Sequence, residues 1–180
     1  MLQRHARITS AALLFSLTMP GLVAAADPAA PMQKAAAGAK KADSAKLERG
    51  KYLVKIAGCN DCHTPGYMAS AGKVDEKLWL TGDVMGWRGP WGTTYASNLR
   101  LYFDKLTEDQ WVKIARSLET RPPMPWFALR DMAEVDLRAI HAFAKSLGPA
   151  GNAAPAYVPP DKEPKPPYAQ FPSPPPPLKK

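Results

Sequence analysis

Apolar positions recur at helical spacing in three stretches of the chain. Leu47, Tyr52, Leu53, Val54 and Ile56 predict an amphipathic helix from a cap at Ser44 to about Ala57, ended by Gly58. Thr107-Glu108-Asp109-Gln110 reads as a capping box, and the helix it opens carries Trp111, Ile114, Ala115 and Leu118 on one face as far as Glu119, short of Pro122-Pro123. Asp131-Met132-Ala133-Glu134 reads as a second box in its Asp form. Val135, Leu137, Ile140, Phe143, Ala144 and Leu147 follow at helical spacing, and Gly148-Pro149 closes the element.

The intervening segments carry other signals. Tyr67 to Lys77 is polar and reads as loop, after the turn signal Thr64-Pro65-Gly66. Leu78 to Leu99 crowds Trp79, Trp87 and Trp91 among Gly82, Gly86, Gly89, Pro90 and Gly92. Gly50 stands in the middle of the first helix, where it costs roughly 1 kcal/mol against alanine. Such a glycine makes sense if another helix crosses against bare backbone, and Phe143 of the last helix is placed to lie over it. The expected architecture is therefore an all-α domain over residues 44–150.

The two ends differ in composition from this centre. In residues 1–26 a basic start at Arg4 and Arg7, an apolar run from Ala11 to Leu17 and Ala24-Ala25-Ala26 have the layout of a cleaved signal peptide. Pro20 and Gly21 break the run, which is too short to span a bilayer, and no later segment is apolar enough to do so. No cysteine follows the cleavage point to take a lipid, so the expected product is soluble. Residues 27–43, rich in Ala, Pro, Lys and Gly, read as a flexible, disordered leader. From 151 to 180 prolines predict an extended polyproline tail, either simply solvated or laid as an arm on a partner subunit.

Charge adds little. Lys and Arg number 24 against 16 Asp and Glu, a net +8 that falls to +6 once Arg4 and Arg7 leave with the first segment. The charge is scattered, which suits solubility and steering toward an acidic partner better than nucleic-acid binding.

The candidate chemistry lies in Cys59-Asn60-Asp61-Cys62-His63, which holds the only 2 cysteines of the 180 residues. Two thiols one helical turn apart can reach the two vinyl groups of a haem, and the next side chain, His63, rises beneath the iron. A dithiol redox motif would want a βαβ surround, whereas these flanks are helical and turn-like. A structural zinc needs four ligands, which two cysteines with His5, His63 and His141 scarcely supply. A disulfide here would close too short a loop to restrain much. Covalent haem of this kind is attached outside the bacterial cytoplasm, in keeping with the signal peptide, so the expected address is the periplasm.

A second iron ligand is sought downstream. Met124 lies in Arg121-Pro122-Pro123-Met124-Pro125-Trp126, where prolines stiffen the backbone on both sides, and a thioether sulfur favours ferrous iron. Met68, Met85 and Met132 are rivals, while His141 reads as a helix-surface residue. His63 needs its other ring nitrogen held, and a carbonyl near Pro65 is the expected acceptor. Arg88, Trp91, Tyr95 and Asn98 are candidates for contacts on the haem propionate side, since glycines let backbone approach a flat ring while Trp and Tyr cover it.

The order of these motifs resembles class I bacterial c-type cytochromes, within them the single-haem domains similar to cytochrome subunits of periplasmic dehydrogenases. The residues that carry the likeness are Gly50 and Tyr52, Cys59 to Thr64, Gly89-Pro90-Trp91-Gly92 with Ser97-Asn98-Leu99, Pro123-Met124-Pro125-Trp126, and Asp136 to Ile140. The resemblance implies a cytochrome c-like fold with crossed terminal helices, one haem c bound through Cys59 and Cys62, axial ligation by His63 and Met124, and one-electron transfer without bond chemistry by the protein. Its implied partners are a periplasmic dehydrogenase and a downstream acceptor, with the chain acting free or as a subunit of an oxidoreductase complex. Arg100-Leu101-Tyr102-Phe103-Asp104 departs from the Thr-Pro-Asp that often follows Ser-Asn-Leu in such domains. A haem sensor or peroxidase with a labile methionine is the rival of a different class.

Overall fold

The computed structural model describes residues 30–172. The signal peptide expected over residues 1–26 and the last prolines of the tail lie outside the described residues. Among those described, no helix is long and apolar enough to cross a membrane.

Six helices and a small three-stranded sheet make up the described chain. α1 spans Ala30–Ile56, α2 Cys59–His63, α3 Leu99–Asp104, α4 Glu108–Ser117, α5 Trp126–Asp131 and α6 Glu134–Ser146. The domain is mostly helical, and the most extensive of its inter-helix contacts among the described residues is the expected one, α1 against α6. Gly50 is the reason the two can cross so closely: a Cβ there would lie 2.0 Å from the Ala139 carbonyl oxygen and 2.7 Å from Phe143 Cβ. Around this crossing Leu53, Val54, Leu137, Ile140, Phe143 and Ala144 are buried, and Trp79, Phe103 and Trp111 extend the core toward α3 and α4. Trp111 keeps its polar edge satisfied by donating Nε1–H to the Leu137 carbonyl at 2.8 Å. At the surface Arg49 grips Asp136 with two bonds, and Arg138 gathers Glu108, Asp109 and Glu134, tying α1 and α4 to α6.

Several expectations need correction. α1 begins at Ala30, not at Ser44, so Ser44 is mid-helix and the supposed leader is helical from residue 30 onward. Residues 40–45 are exposed and show no apolar stripe, which is why periodicity missed a stretch whose alanines and lysines favour helix by intrinsic propensity. The Thr107 box forms as read, with side-chain and backbone bonds exchanged between Thr107 and Gln110. The Asp131 box does not: Arg130 holds the Asp131 carboxylate at 2.9 Å, Asp131 ends α5, and Ala133 precedes α6 with no side-chain cap. His141 is buried rather than on the surface, because α6 packs against α1, α3 and α4 at once. Its Nε2 donates to the Leu106 carbonyl at 3.0 Å while Phe103 meets the ring edge-on. Burial pushes its pKa down.

The domain is also not all-α. β1 (Gly86–Gly89) and β2 (Gly92–Tyr95) form an antiparallel hairpin turned by Pro90 and Trp91, with Gly92 at φ 93°, a left-handed geometry that glycine adopts freely. β3 (Tyr168–Gln170) adds to β1 in parallel, giving the order β2-β1-β3. The third strand comes from the proline-rich tail, which folds back onto its own domain up to the last described residues. Val158 and Thr93 exchange two backbone hydrogen bonds, Tyr157 Oη donates to the Trp91 carbonyl at 2.9 Å, and Phe171 packs against Trp87 and Trp91. Prolines in a segment that lies at a sheet edge leave its other backbone groups free to pair, and composition alone does not reveal that pairing.

Candidate functional site

The two cysteines and His63 all come from α2, a helix of little more than one turn entered through Gly58 at φ 71°. Helical spacing puts Cys59, Cys62 and His63 on adjoining positions, and all three line one cavity of about 250 Å³ whose wall is otherwise mainly apolar, including Leu99, Phe103, Leu129 and Ile140. Both cysteines are free thiols. Burial pushes Cys59 up to about 11 and raises Cys62 as well, so at neutral pH both are protonated. That is the opposite of the depressed value which activates a dithiol redox centre. Among the described residues no group of three or more His, Cys, Asp and Glu side chains is placed to hold a metal ion.

A chain of hydrogen bonds positions His63. Thr64 donates to buried Asn60 Oδ1 at 2.7 Å and accepts from the Leu80 backbone at 2.8 Å. The Leu80 carbonyl in turn accepts from Leu99 and Arg100, which brings residues 97–100 alongside α2. The Ser97 carbonyl then lies 2.7 Å from His63 Nδ1. A carbonyl can only accept, so Nδ1 carries the proton and the Nε2 lone pair is left for a ligand. The acceptor is thus Ser97, far along the chain, and not a carbonyl near Pro65 as local reading had it. Burial lowers the His63 pKa, opposed by the Ser97 bond.

Met124 reaches the same cavity from the segment before α5. Thr94 Oγ1 donates to the Pro122 carbonyl at 2.8 Å, and the Trp126 N–H bonds the Met124 carbonyl at 2.9 Å, so the proline-stiffened loop is pinned on both sides of the methionine. A second, larger cavity of about 650 Å³ is lined by His63, Ser97, Thr120 and Met124 as well, so the two spaces adjoin along these residues. Met124 lines both. Met132 lines only the smaller cavity, Met68 is 55% exposed, and neither Met68 nor Met85 lines either space. The larger space, about 650 Å³, falls within the roughly 300–1,000 Å³ usual for a ligand pocket, and the adjoining 250 Å³ extends it.

Of the four residues expected on the propionate side, only Tyr95 lines a cavity, the larger one. Arg88 is taken up by Glu163 at 2.5 Å and by the face of Tyr168. Trp91 Nε1 donates to the Trp87 carbonyl and its ring meets Phe171. Asn98 caps α3 and donates to the carbonyls of Ala150 and Asn152. These three bind the tail to the hairpin and to α3. The residues that do line the larger cavity, and that sequence reasoning left unassigned, are Thr94, Glu119, Thr120, Arg121, Pro155 and Tyr157. Arg121 stood in plain view beside the prolines, but nothing local says which way it faces. The 100–104 departure also acquires a role. Buried Arg100 donates to the carbonyls of Lys77, Leu147 and Gly148, closing the C-terminus of α6.

The donor set fits a covalently held metalloporphyrin: two protonated thiols on one helical turn, an imidazole with its outer nitrogen fixed, a thioether on a stiff loop, and an apolar slot between these elements. The chain matches no family model, no curated protein and no solved structure, so its site has to be understood from its own residues.

Proposed function

We propose that this chain is a periplasmic electron-transfer protein with a cytochrome c-like fold that carries one haem c, covalently held by Cys59 and Cys62 and ligated by His63 and Met124. The observation that carries this reading is the convergence of Cys59, Cys62, His63 and Met124, from two separate elements, on one mainly apolar cavity. When bound, the haem supplies a reversible one-electron couple at its iron.

The chain's own residues do the rest. Cys59 and Cys62, free thiols on one turn of α2, would hold the group through two thioether bonds, each the net addition of an S–H across a vinyl group with sulfur on one carbon and hydrogen on its neighbour. His63 presents Nε2 because Ser97 holds the Nδ1 proton, and this fixes both tautomer and ring orientation. Pro123 and Pro125 stiffen the backbone on both sides of Met124, so its sulfur would be a ligand slow to leave, which would favour electron transfer over opening a site for peroxide or gas. Leu99, Phe103, Leu129 and Ile140 exclude water from the slot, which disfavours the more highly charged ferric state. The donor and acceptor are redox proteins, a dehydrogenase and a downstream carrier or oxidase, and the protein serves either free or as the electron-transferring subunit of such an enzyme.

The test is production in a bacterium able to attach haem to exported proteins. The mature protein is expected to gain one haem in mass that denaturation does not remove, to show a Soret band, and to show in the ferric state a weak band near about 695 nm from the sulfur ligand. No mass gain and no Soret band would refute the proposal, and ready carbon monoxide binding by the native ferrous protein would favour the sensor or peroxidase reading.

A further inference from the structure

The larger cavity is closed in part by the tail. Pro155 and Tyr157 line it, and the segment that bears them is fastened on either side: Asn98 grips the carbonyls of Ala150 and Asn152, and Val158 pairs with Thr93 of β2. Gly92 admits this segment, since a Cβ there would lie 2.5 Å from the Val158 carbonyl oxygen and 2.8 Å from Tyr157. Over the Tyr157 ring lies the Arg121 guanidinium, 3.8 Å from its centroid. Among the described residues Arg121 makes no ion pair and donates no side-chain hydrogen bond, in contrast with Arg49, Arg88, Arg100, Arg116, Arg130 and Arg138. The other ionisable groups on this cavity are His63, Tyr95, Glu119 and Tyr157.

The geometry points to the tail as a structural part of the haem site: Tyr157 is a positioning residue that holds Arg121 over the larger cavity, where the guanidinium pairs with the propionate carboxylates of the haem. This rests on the haem reading above and replaces Arg88, which is bound to Glu163, as the cation for that role. A guanidinium stacked on an aromatic face keeps its planar fork pointed edgewise, the orientation in which it binds carboxylates with two bonds. Stacking on Tyr157 also costs the cation none of its hydrogen-bond donors. The tail is thereby given a reason to fold back on its own domain, since without Tyr157 the Arg121 side chain would sweep through solvent.

The experiment compares the midpoint potential of the purified holoprotein across about pH 5 to 8, a window above the ordinary carboxylate range, in Arg121→Gln, Tyr157→Ala, the double variant, and Lys113→Gln. Lys113 is an exposed lysine on α4 that lines neither cavity, so its variant reports the charge change alone. Loss of the Arg121 charge removes a cation that opposes ferric iron, so the potential falls. It also frees the propionates to titrate higher, so a pH-dependent step enters the window, with the potential falling as pH rises through it. Tyr157→Ala is expected to move both in the same direction by less, and the double variant to match Arg121→Gln, because both changes act through one cation. Tyr157→Phe, which keeps the ring, should stay with the parent protein. Should Arg121→Gln fail to mature, Tyr157→Ala against Tyr157→Phe carries the same comparison.

Arg121→Gln or Tyr157→Ala with the potential and pH profile of the Lys113→Gln protein would overturn the assignment, as would additive effects in the double variant. In those cases an intact covalent haem and sulfur band leave the electron-transfer reading standing. A parent protein that acquires no haem removes both.

Discussion

Among the glycines, the one with the least room for a side chain offers the sharpest test of the fold. Gly50→Ala would place a methyl 2.0 Å from the Ala139 oxygen, 2.7 Å from the Ala139 carbonyl carbon and 2.7 Å from Phe143 Cβ. On helix propensity alone the change should stabilise the protein by about 1 kcal/mol. Overpacking opposes it at about 1–3 kcal/mol, and the upper end applies here because the obstacles are helix backbone, which cannot rotate away as a side chain can. α1 and α6 must part by well over an ångström, loosening Leu53, Val54, Leu137 and Ile140 together. The expected net loss is about 2 kcal/mol, a fall in Tm of roughly 6–10 °C for a domain of this size. Chemical and thermal unfolding of the purified protein, beside the parent in the same haem state, measures it. Gly66→Ala is the comparison: nothing lies within 4 Å of its would-be Cβ, so only the strain of φ 71° is felt, about 1 kcal/mol. Trimming Phe143 should not rescue Gly50→Ala, since the nearest atom is a carbonyl oxygen. If Gly50→Ala proved as stable as the parent, or more so, the crossing described above would be wrong.

Other expectations are independent of that one. Met124→Ala should abolish the weak ferric band near about 695 nm and open the ferrous protein to carbon monoxide, while Met132→Ala should leave both unchanged; the reverse pattern would transfer the sulfur ligand to Met132. In protein produced without haem, Cys59, pushed up to about 11, should be alkylated at pH 8 at on the order of a thousandth of its full thiolate rate and speed up tenfold per pH unit until its titration. Denaturant should bring both thiols to ordinary reactivity. Because the folded value is the raised one, burial of Cys59 stabilises fully below the unfolded thiol's titration, and that contribution is lost as pH climbs toward 11. Equal alkylation rates in native and denatured protein at pH 8 would contradict the burial. Arg100→Ala leaves the carbonyls of Lys77, Leu147 and Gly148 without their donor, and urea unfolding should register a loss of about 3 kcal/mol, roughly one for each bond.

What could be read from the sequence was local chemistry and local periodicity. The capping box at Thr107 and the glycine at position 50 state their meaning within a few residues, because helix capping and backbone packing act over that range, and the grouping of Cys59, Cys62, His63 and Met124 as one candidate set was legible from spacing and the flanking prolines. Gly50 went further and implied a partner helix, since a costly residue in a helix needs an external reason. The tertiary structure alone decided which groups from distant segments meet. Ser97 rather than a neighbour of Pro65 holds His63, because Thr64, Leu80 and Leu99 are linked in series. Arg88 and Asn98 are spent on the tail, His141 is buried by three helices, and a proline-rich end that composition assigns to solvent instead supplies a strand and two walls of a cavity. Hydrogen bonds and ion pairs between residues dozens of positions apart depend on the path of the whole chain, and no window along it contains that path.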